Sequence, residues 1–319
     1  MNGLQVLVRS RRVEAEGICS FELVHPGGLA LPAFTAGAHI DVHVAPGLVR
    51  QYSLCNHPDT RDHYRIAVLC EPASRGGSRG MHEQVHEGQA LTISAPRNHF
   101  ALAPGARHSL LLAGGIGITP IWAMAQALHA AGAGFDLHYC GRAAARMAFV
   151  DEMAQAPFSG QLQVHADDGA ETQRLDADGL LARPEPGTHL YVCGPAGFMD
   201  HVLDTARRHG WPEAQLHREF FAGSATATEA DGSFDVRLAR SGQTLQVPAG
   251  KSVLEVLVAC GIDVPYSCES GVCGTCLTRV LQGVPDHRDS FLTEAERAAN
   301  DQFTPCCSRS YTPLLVLEL

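Results

Sequence analysis

The chain is nearly without lysine: Lys251 is the only one, and 24 basic residues face 34 acidic ones, for a formal net charge of −10. A nucleic-acid surface wants clustered Lys and Arg, so that class of partner is excluded. Any phosphate must be held mainly by arginine, hydroxyls and backbone amides. No run of about 18 apolar residues occurs, so no membrane-spanning helix is expected. The opening residues, MNGLQVLVRSRRVEAEG, lack the long apolar core and small-residue cleavage site of a secretory signal, which points to the cytoplasm. No nucleophile triad stands out, and the 17 histidines are scattered rather than grouped as ligands.

What is there is ordinary for a folded protein: 319 residues, 45% hydrophobic and 18% charged, with room for two or three domains. The first hundred residues read as strands between turns, LQVLVRS, SFELV, HIDVHV, QYSL, YRIAVL and ALTISAP, the pattern of a small barrel or sandwich. From about residue 108 the pattern becomes strand–loop–helix, with SLLLAGGIGITPIWAMAQALHAAG, FDLHYCGR, LQVHADDG and HLYVCGPAGFMDHVLDTARRHG, as in a parallel α/β sheet. A small, polar stretch follows, and then FDVRLAR, TLQVPAG and the helix-like SVLEVLVACG. The expected organisation is a β-barrel over 1–103, an α/β domain over 104–222, a linker over 223–233 and a small α+β domain over 234–319. The charge is uneven across these parts: 9 basic against 9 acidic residues over 1–103, 8 against 15 over 104–231, and 7 against 10 over 232–319.

Eleven cysteines without an export signal suggest metal or thiolate chemistry more than disulfides. Cys19, Cys55, Cys70, Cys140, Cys193 and Cys260 stand singly and read as small buried hydrophobes. Cys268, Cys273 and Cys276 have the C-x4-C-x2-C spacing of plant-type ferredoxins, with a distant fourth ligand supplied by Cys306 or Cys307. Three thiolates must reach two irons from one tight loop, and Gly271 and Gly274 let its backbone approach the sulfides and take positive φ. A structural zinc site is the alternative. It prefers paired C-x2-C knuckles, and only one such pair is present here.

Two further glycine turns can hold phosphate. Arg75-Gly76-Gly77-Ser78 follows the strand RIAVL, and successive N–H groups there can cradle an anion. Gly114-Gly115-Ile116-Gly117 lies between an apolar strand and a helix. It is not G-x-G-x-x-G, yet it offers a helix N-terminus and bare backbone for a pyrophosphate.

Arg50-Gln51-Tyr52-Ser53 resembles the R-x-Y-S flavin signature of the ferredoxin–NADP reductase superfamily. The resemblance implies an arginine on the flavin phosphate, a tyrosine against the isoalloxazine and a serine near N5. The 113–120 turn resembles that superfamily's nicotinamide-domain opening, and Cys193-Gly194-Pro195 resembles its second landmark, beside the nicotinamide. Taken in order, the motifs resemble the phthalate dioxygenase reductase family over almost the whole chain. The architecture this implies is a ferredoxin-reductase-like flavin barrel, a parallel α/β nicotinamide domain and a C-terminal β-grasp ferredoxin.

The resemblance further implies FMN contacts at Arg50, Gln51, Tyr52, Ser53, Ala67, Val68, Leu69, Gly76, Gly77, Ser78, Thr119 and Phe221. It implies nicotinamide contacts at Gly114, Gly115, Gly117, Cys193, Gly194 and Pro195, with Arg142 in the loop after FDLHYC. The PCCSR segment resembles the Cys-x-Ser-Arg ending of related reductases, which selects Cys306 as fourth ligand to a [2Fe–2S] cluster. His287-Arg288-Asp289 matches a family feature that orders the cluster loop. Together these imply transfer from NADH, through FMN and the cluster, to a Rieske-type terminal oxygenase acting on an aromatic substrate. A reductase for a quaternary-amine Rieske monooxygenase, or a flavin and iron–sulfur carrier that does not turn over NADH, are the alternatives. Oligomeric state is not legible, a monomer included.

Overall fold

A computed structural model describes residues 3–72, 76–221, 227–228, 230–266 and 268–319. Arg75 and linker residues 223–226 and 229 lie outside the described residues. The chain divides into two compact units, Met1–Glu219 and Phe220–Leu319.

In the first unit, seven described strands form one antiparallel sheet: β1 (Leu4–Ala15), β2 (Ile18–Val24), β3 (Ala38–Ala45), β4 (Leu48–Ser53), β5 (His63–Leu69), β6 (Ala90–Ile93) and β7 (Arg97–Asn98). Their order is β4-β3-β6-β1-β2-β5, with β7 on β3, and a bridge between Leu54 and Ile66 joins the two ends into a barrel. Alternation drives the closure: Val6, Val8, Phe21, Leu23, Ile40 and Val42 all point into one core. A helix not expected from the sequence, α1 (Gly77–Gln84), begins inside the Gly76–Ser78 loop. GSRGMHEQ has poor helix propensity; packing of Gly77, Gly80 and Met81 into the barrel overrides it.

The same unit holds a parallel sheet of β8 (His108–Gly114), β9 (Gly134–Gly141), β10 (Leu162–Ala166), β11 (Thr188–Cys193) and β12 (Leu216–Glu219), in the order β10-β9-β8-β11-β12. Between them run α2 (Ile118–Ala130), α3 (Val150–Ala154), α4 (Ala177–Leu181) and α5 (Ala196–Arg208). Central β8 is apolar on both faces, as a strand covered by helices must be. Helix α2 is buried nearly all round because it lies in a core shared with the barrel, where Trp122 and Ile118 join Ile18, Cys55 and Ala67.

The second unit has a mixed sheet ordered β14-β13-β19-β15-β17, from β13 (Phe234–Leu238), β14 (Thr244–Val247), β15 (Thr278–Gln282), β17 (Gln302–Phe303) and β19 (Leu314–Leu317). The short strands β16 (Pro285–Asp286) and β18 (Arg309–Ser310) pair separately. Helix α6 (Val253–Ala259) packs Val253, Leu254 and Leu257 into this core, and both it and α7 (Glu294–Ala299) start with capping boxes, Ser252/Glu255 and Thr293/Glu296. Of the single cysteines, Cys19, Cys55 and Cys193 are buried and Cys70 and Cys140 half-buried, but Cys260 is exposed. It caps the end of α6, past Leu257, the last residue that the helix buries.

Candidate functional site

The barrel is closed by one bridge and then opens. Beyond Leu54–Ile66 the strands β4 and β5 are no longer paired, so Arg50, Tyr52 and Ser53 stand opposite Ala67, Val68 and Leu69 along an unpaired seam. At one end the Arg50 side chain lies over Gly77, where a Cβ would come within 2.5 Å of it. Arg50 thus meets the start of α1, and Gly76 there has φ 95°. Tyr52 packs against the barrel core with its hydroxyl buried and unpaired, and burial pushes the phenol well above its usual range. An orphaned buried hydroxyl costs about 1–3 kcal/mol, so an oxygen-bearing ligand in the seam would find a partner waiting. Gln51 faces the other way, donating to Asp41 Oδ1 at 3.0 Å. The Ser78 hydroxyl accepts the Glu71 N–H at 3.1 Å, and the Val68 carbonyl meets His82 Nε2 at 2.8 Å.

The α/β sheet aims its carboxyl ends at the same place. Strand order reverses between β8 and β11, and open parallel sheets bind ligands outside the strand ends at such a switch point. Gly114–Gly117 leaves β8 here and Cys193-Gly194-Pro195 leaves β11, with Cys193 in register with Ala113. Glycine is required: a Cβ on Gly117 would sit 2.2 Å from the Cys193 carbonyl oxygen, and one on Gly114 2.8 Å from the Phe198 ring. Thr119, buried on the first turn of α2, donates to the Ile116 carbonyl at 3.1 Å. Arg142 is exposed in the loop after β9, where Asp168 accepts the Ala144 N–H at 3.2 Å.

Seam and sheet meet through a residue that sequence reasoning missed. Glu219 ends β12 in register with Cys193 and accepts a hydrogen bond from the Ser53 hydroxyl at 3.2 Å. Burial pushes its carboxyl up to about 8, against the weaker opposing effect of Ser53. The Cys193 thiol is fully buried, and burial, then Glu219, drives it well above its ordinary value. Nothing local marks Glu219; only the sheet brings it to Ser53, 166 positions earlier. Phe221, 41% exposed, falls in the second unit.

In that unit the cluster loop gathers its thiols. Cys268 is hydrogen-bonded by Cys273 and Cys306, which hold it far below the usual thiol range, and Cys306 also contacts Cys276 and Cys307. Backbone N–H groups of Ser270 and Thr275 donate to the Cys268 and Cys273 sulfurs, each at 3.4 Å. Cys307 meets Thr304 Oγ1 at 3.3 Å as well as Cys306, and lies under Gly271, where a Cβ would strike its sulfur at 2.4 Å. Gly271 has φ 74°, so no other residue fits there. No three ligating side chains among the described residues surround a point for a single ion. Four thiols gathered in one region, with amide N–H groups on two of the sulfurs, form a donor set that an iron–sulfur cluster takes. Asp289, beside Gly271, is fully buried and accepts the N–H groups of Phe291 and Leu292 at 3.1 and 2.7 Å.

Known proteins resemble the chain end to end. A vanillate O-demethylase oxidoreductase of Pseudomonas putida is 59% identical over 317 residues, 99% of this chain and 100% of that one. The chain belongs to the phthalate dioxygenase reductase family. A solved structure of phthalate dioxygenase reductase, described as a modular structure for electron transfer from pyridine nucleotides to [2Fe–2S], is 40% identical with a TM-score of 0.80, covering 100% of this chain and 98% of that one. The reductase subunit of a tert-butanol monooxygenase and tert-amyl alcohol desaturase from Aquincola tertiaricarbonis is 44% identical over 99% of this chain and 96% of its own. Residues 236–310 match the 2Fe-2S iron-sulfur cluster binding domain, and residues 92–216 match the N-terminal domain of dimethylamine monooxygenase subunit DmmA-like proteins. The chain is an oxidoreductase of three parts in this family's order: barrel, parallel α/β sheet and iron–sulfur domain.

Proposed function

We propose that the chain is the NADH-dependent reductase component of a Rieske-type oxygenase that demethylates an aromatic substrate. FMN would lie in the barrel seam and a [2Fe–2S] cluster on Cys268, Cys273, Cys276 and Cys306. The observation that carries this reading is the meeting of Ser53, Glu219 and Cys193 where the seam opens onto the switch point. When bound, FMN accepts a hydride as an electron pair, and the cluster passes electrons on one at a time.

The chain's own residues supply place and charge. Arg50 and the N–H groups at Gly76–Ser78 hold a terminal phosphate. Tyr52 offers its buried hydroxyl, and the Ala67–Leu69 rim faces it. The Gly114–Gly117 turn, with Thr119 behind it, admits a pyrophosphate, and Cys193-Gly194-Pro195 closes the nicotinamide side. Held there, donor and acceptor react as if in one molecule. Glu219, its carboxyl raised by burial, keeps a proton beside Ser53 to higher pH than an exposed glutamate would.

The name of the 59% identical relative favours a vanillate-type aromatic partner, while the alcohol-oxidising relative shows that the family serves other substrates. Domain limits of 1–103, 104–222 and 234–319 belong to the same proposal, as does a cytoplasmic location; no described helix is long and apolar enough to cross a membrane. Anaerobic addition of NADH to purified protein should bleach flavin and cluster absorption together, and acid should release FMN. Released FAD, or no bleaching, would refute the reading.

A further inference from the structure

The loop after β9, residues 142–149, leaves the carboxyl edge of the parallel sheet beside the glycine turn. On the proposed function it therefore borders the nucleotide's ribose half. Its far end is strained: Phe149 is buried with φ 66°, a left-handed conformation that a bulky side chain adopts only when held.

The holding group comes from the barrel. The Arg65 guanidinium, on β5, stacks over the Phe149 ring at 4.5 Å. It is fixed by Glu14 on β1 at 2.9 Å and Glu152 on α3 at 2.7 Å. Glu152 is in turn fixed by Trp122 Nε1, which donates to its other oxygen at 2.9 Å. Four residues earlier in the loop, the Ala145 carbonyl accepts the N–H of Glu16, in the β1–β2 turn, at 2.8 Å. Both anchors of the loop thus belong to the barrel, one on a strand and one in a turn, and β5 goes on from Arg65 into the Ala67–Leu69 rim.

We infer that Arg65, seconded by the Glu16 backbone, is a positioning residue for pyridine-nucleotide binding. It keeps Phe149 left-handed and so holds Arg142–Arg146 against the sheet edge. If the clamp is lost, Phe149 relaxes to the right-handed region and the chain direction before α3 changes. The nucleotide must then reorder the loop on binding. The penalty falls on nucleotide affinity, not on the reaction once the nucleotide is seated.

This inference rests on the proposed NADH site, and wild-type protein that fails to oxidise NADH would overturn that site itself. With active holoenzyme, NADH oxidation is followed with ferricyanide, and NAD+ binding by its perturbation of the flavin spectrum. Arg65→Leu should raise KM and the NAD+ dissociation constant about tenfold, equal to about 1.4 kcal/mol, with kcat and flavin content within about twofold of wild type. Arg65→Lys should fall between. Glu16→Pro is the gentler variant: Gly17 has φ 74° after a residue of negative φ, a turn that takes proline at this position, so the substitution deletes the N–H and, besides it, only an exposed side chain. It should raise KM two- to threefold. An unchanged KM in flavin-replete Arg65→Leu overturns the inference. If that variant fails to fold, an unchanged KM in Glu16→Pro does so.

Discussion

Glu219→Gln isolates one buried charge. The Glu219 carboxyl sits near 8 in the folded chain against an ordinary 4.5, because burial disfavours its ionised form. The sign follows from proton counting. Between pH 4.5 and 8 the folded chain keeps a proton that the unfolded chain has released, so stability falls as pH rises through this window and levels off above it. At about 1.4 kcal/mol per unit, the full 3.5-unit interval from 4.5 to 8 sets a ceiling of about 5 kcal/mol. Glu219 as a whole is only half-buried, so water screens the carboxyl more than full burial implies, and about 2 kcal/mol is the realistic figure. Glutamine carries no charge at any pH and keeps an acceptor for Ser53. In flavin-free protein the variant should therefore match wild type at pH 5 and exceed it by about 2 kcal/mol at pH 9, or about 4–8 °C in Tm for a unit of this size. Scanning calorimetry from pH 5 to 9 reads this directly. Parallel Tm curves, or a deficit for glutamine that grows with pH, would refute the assignment of a buried, elevated carboxyl.

Serine at Cys268, Cys273, Cys276 or Cys306 should abolish or shift the visible cluster spectrum, since a hydroxyl ligates iron far less well, whereas Cys307→Ser should preserve it; the reverse result for the last two would move the ligand by one position. Gly117→Ala puts a methyl 2.2 Å from a backbone oxygen, so the two strand ends must part; a loss of about 1–3 kcal/mol in thermal stability and at least a tenfold rise in KM for NADH are expected, and an unperturbed KM would place the nucleotide elsewhere. NADH should outperform NADPH several-fold in kcat/KM, because Asp168, in the turn after β10, reaches across to the loop that carries exposed Arg142 and Arg146; parity would show those arginines holding the 2′-phosphate.

Much of the site was legible because its chemistry is local. Cys268, Cys273 and Cys276 stand within nine residues, and Arg50 to Ser53 and Gly114 to Gly117 are each one continuous segment. The choice of Cys306 over Cys307 was harder, since adjacent thiols differ only in which way they turn. In the fold Cys306 meets Cys268, Cys276 and Cys307, while Cys307 meets Cys306 and Thr304, so the fourth ligand remains a proposal. Helix α1 was hidden by its glycines, whose weak propensity is outweighed by packing.

The order of the three parts, the cysteine-rich loop and the positions of two glycine turns could be read from the chain alone. Periodicity and short spacing impose these before any distant contact forms. Only the tertiary structure decided that the barrel closes at Leu54–Ile66 and then opens, that Glu219 reaches Ser53, and that Arg65 holds a left-handed Phe149. Each of these contacts joins residues far apart in the chain, so it depends on strand order and register, which local pattern does not encode.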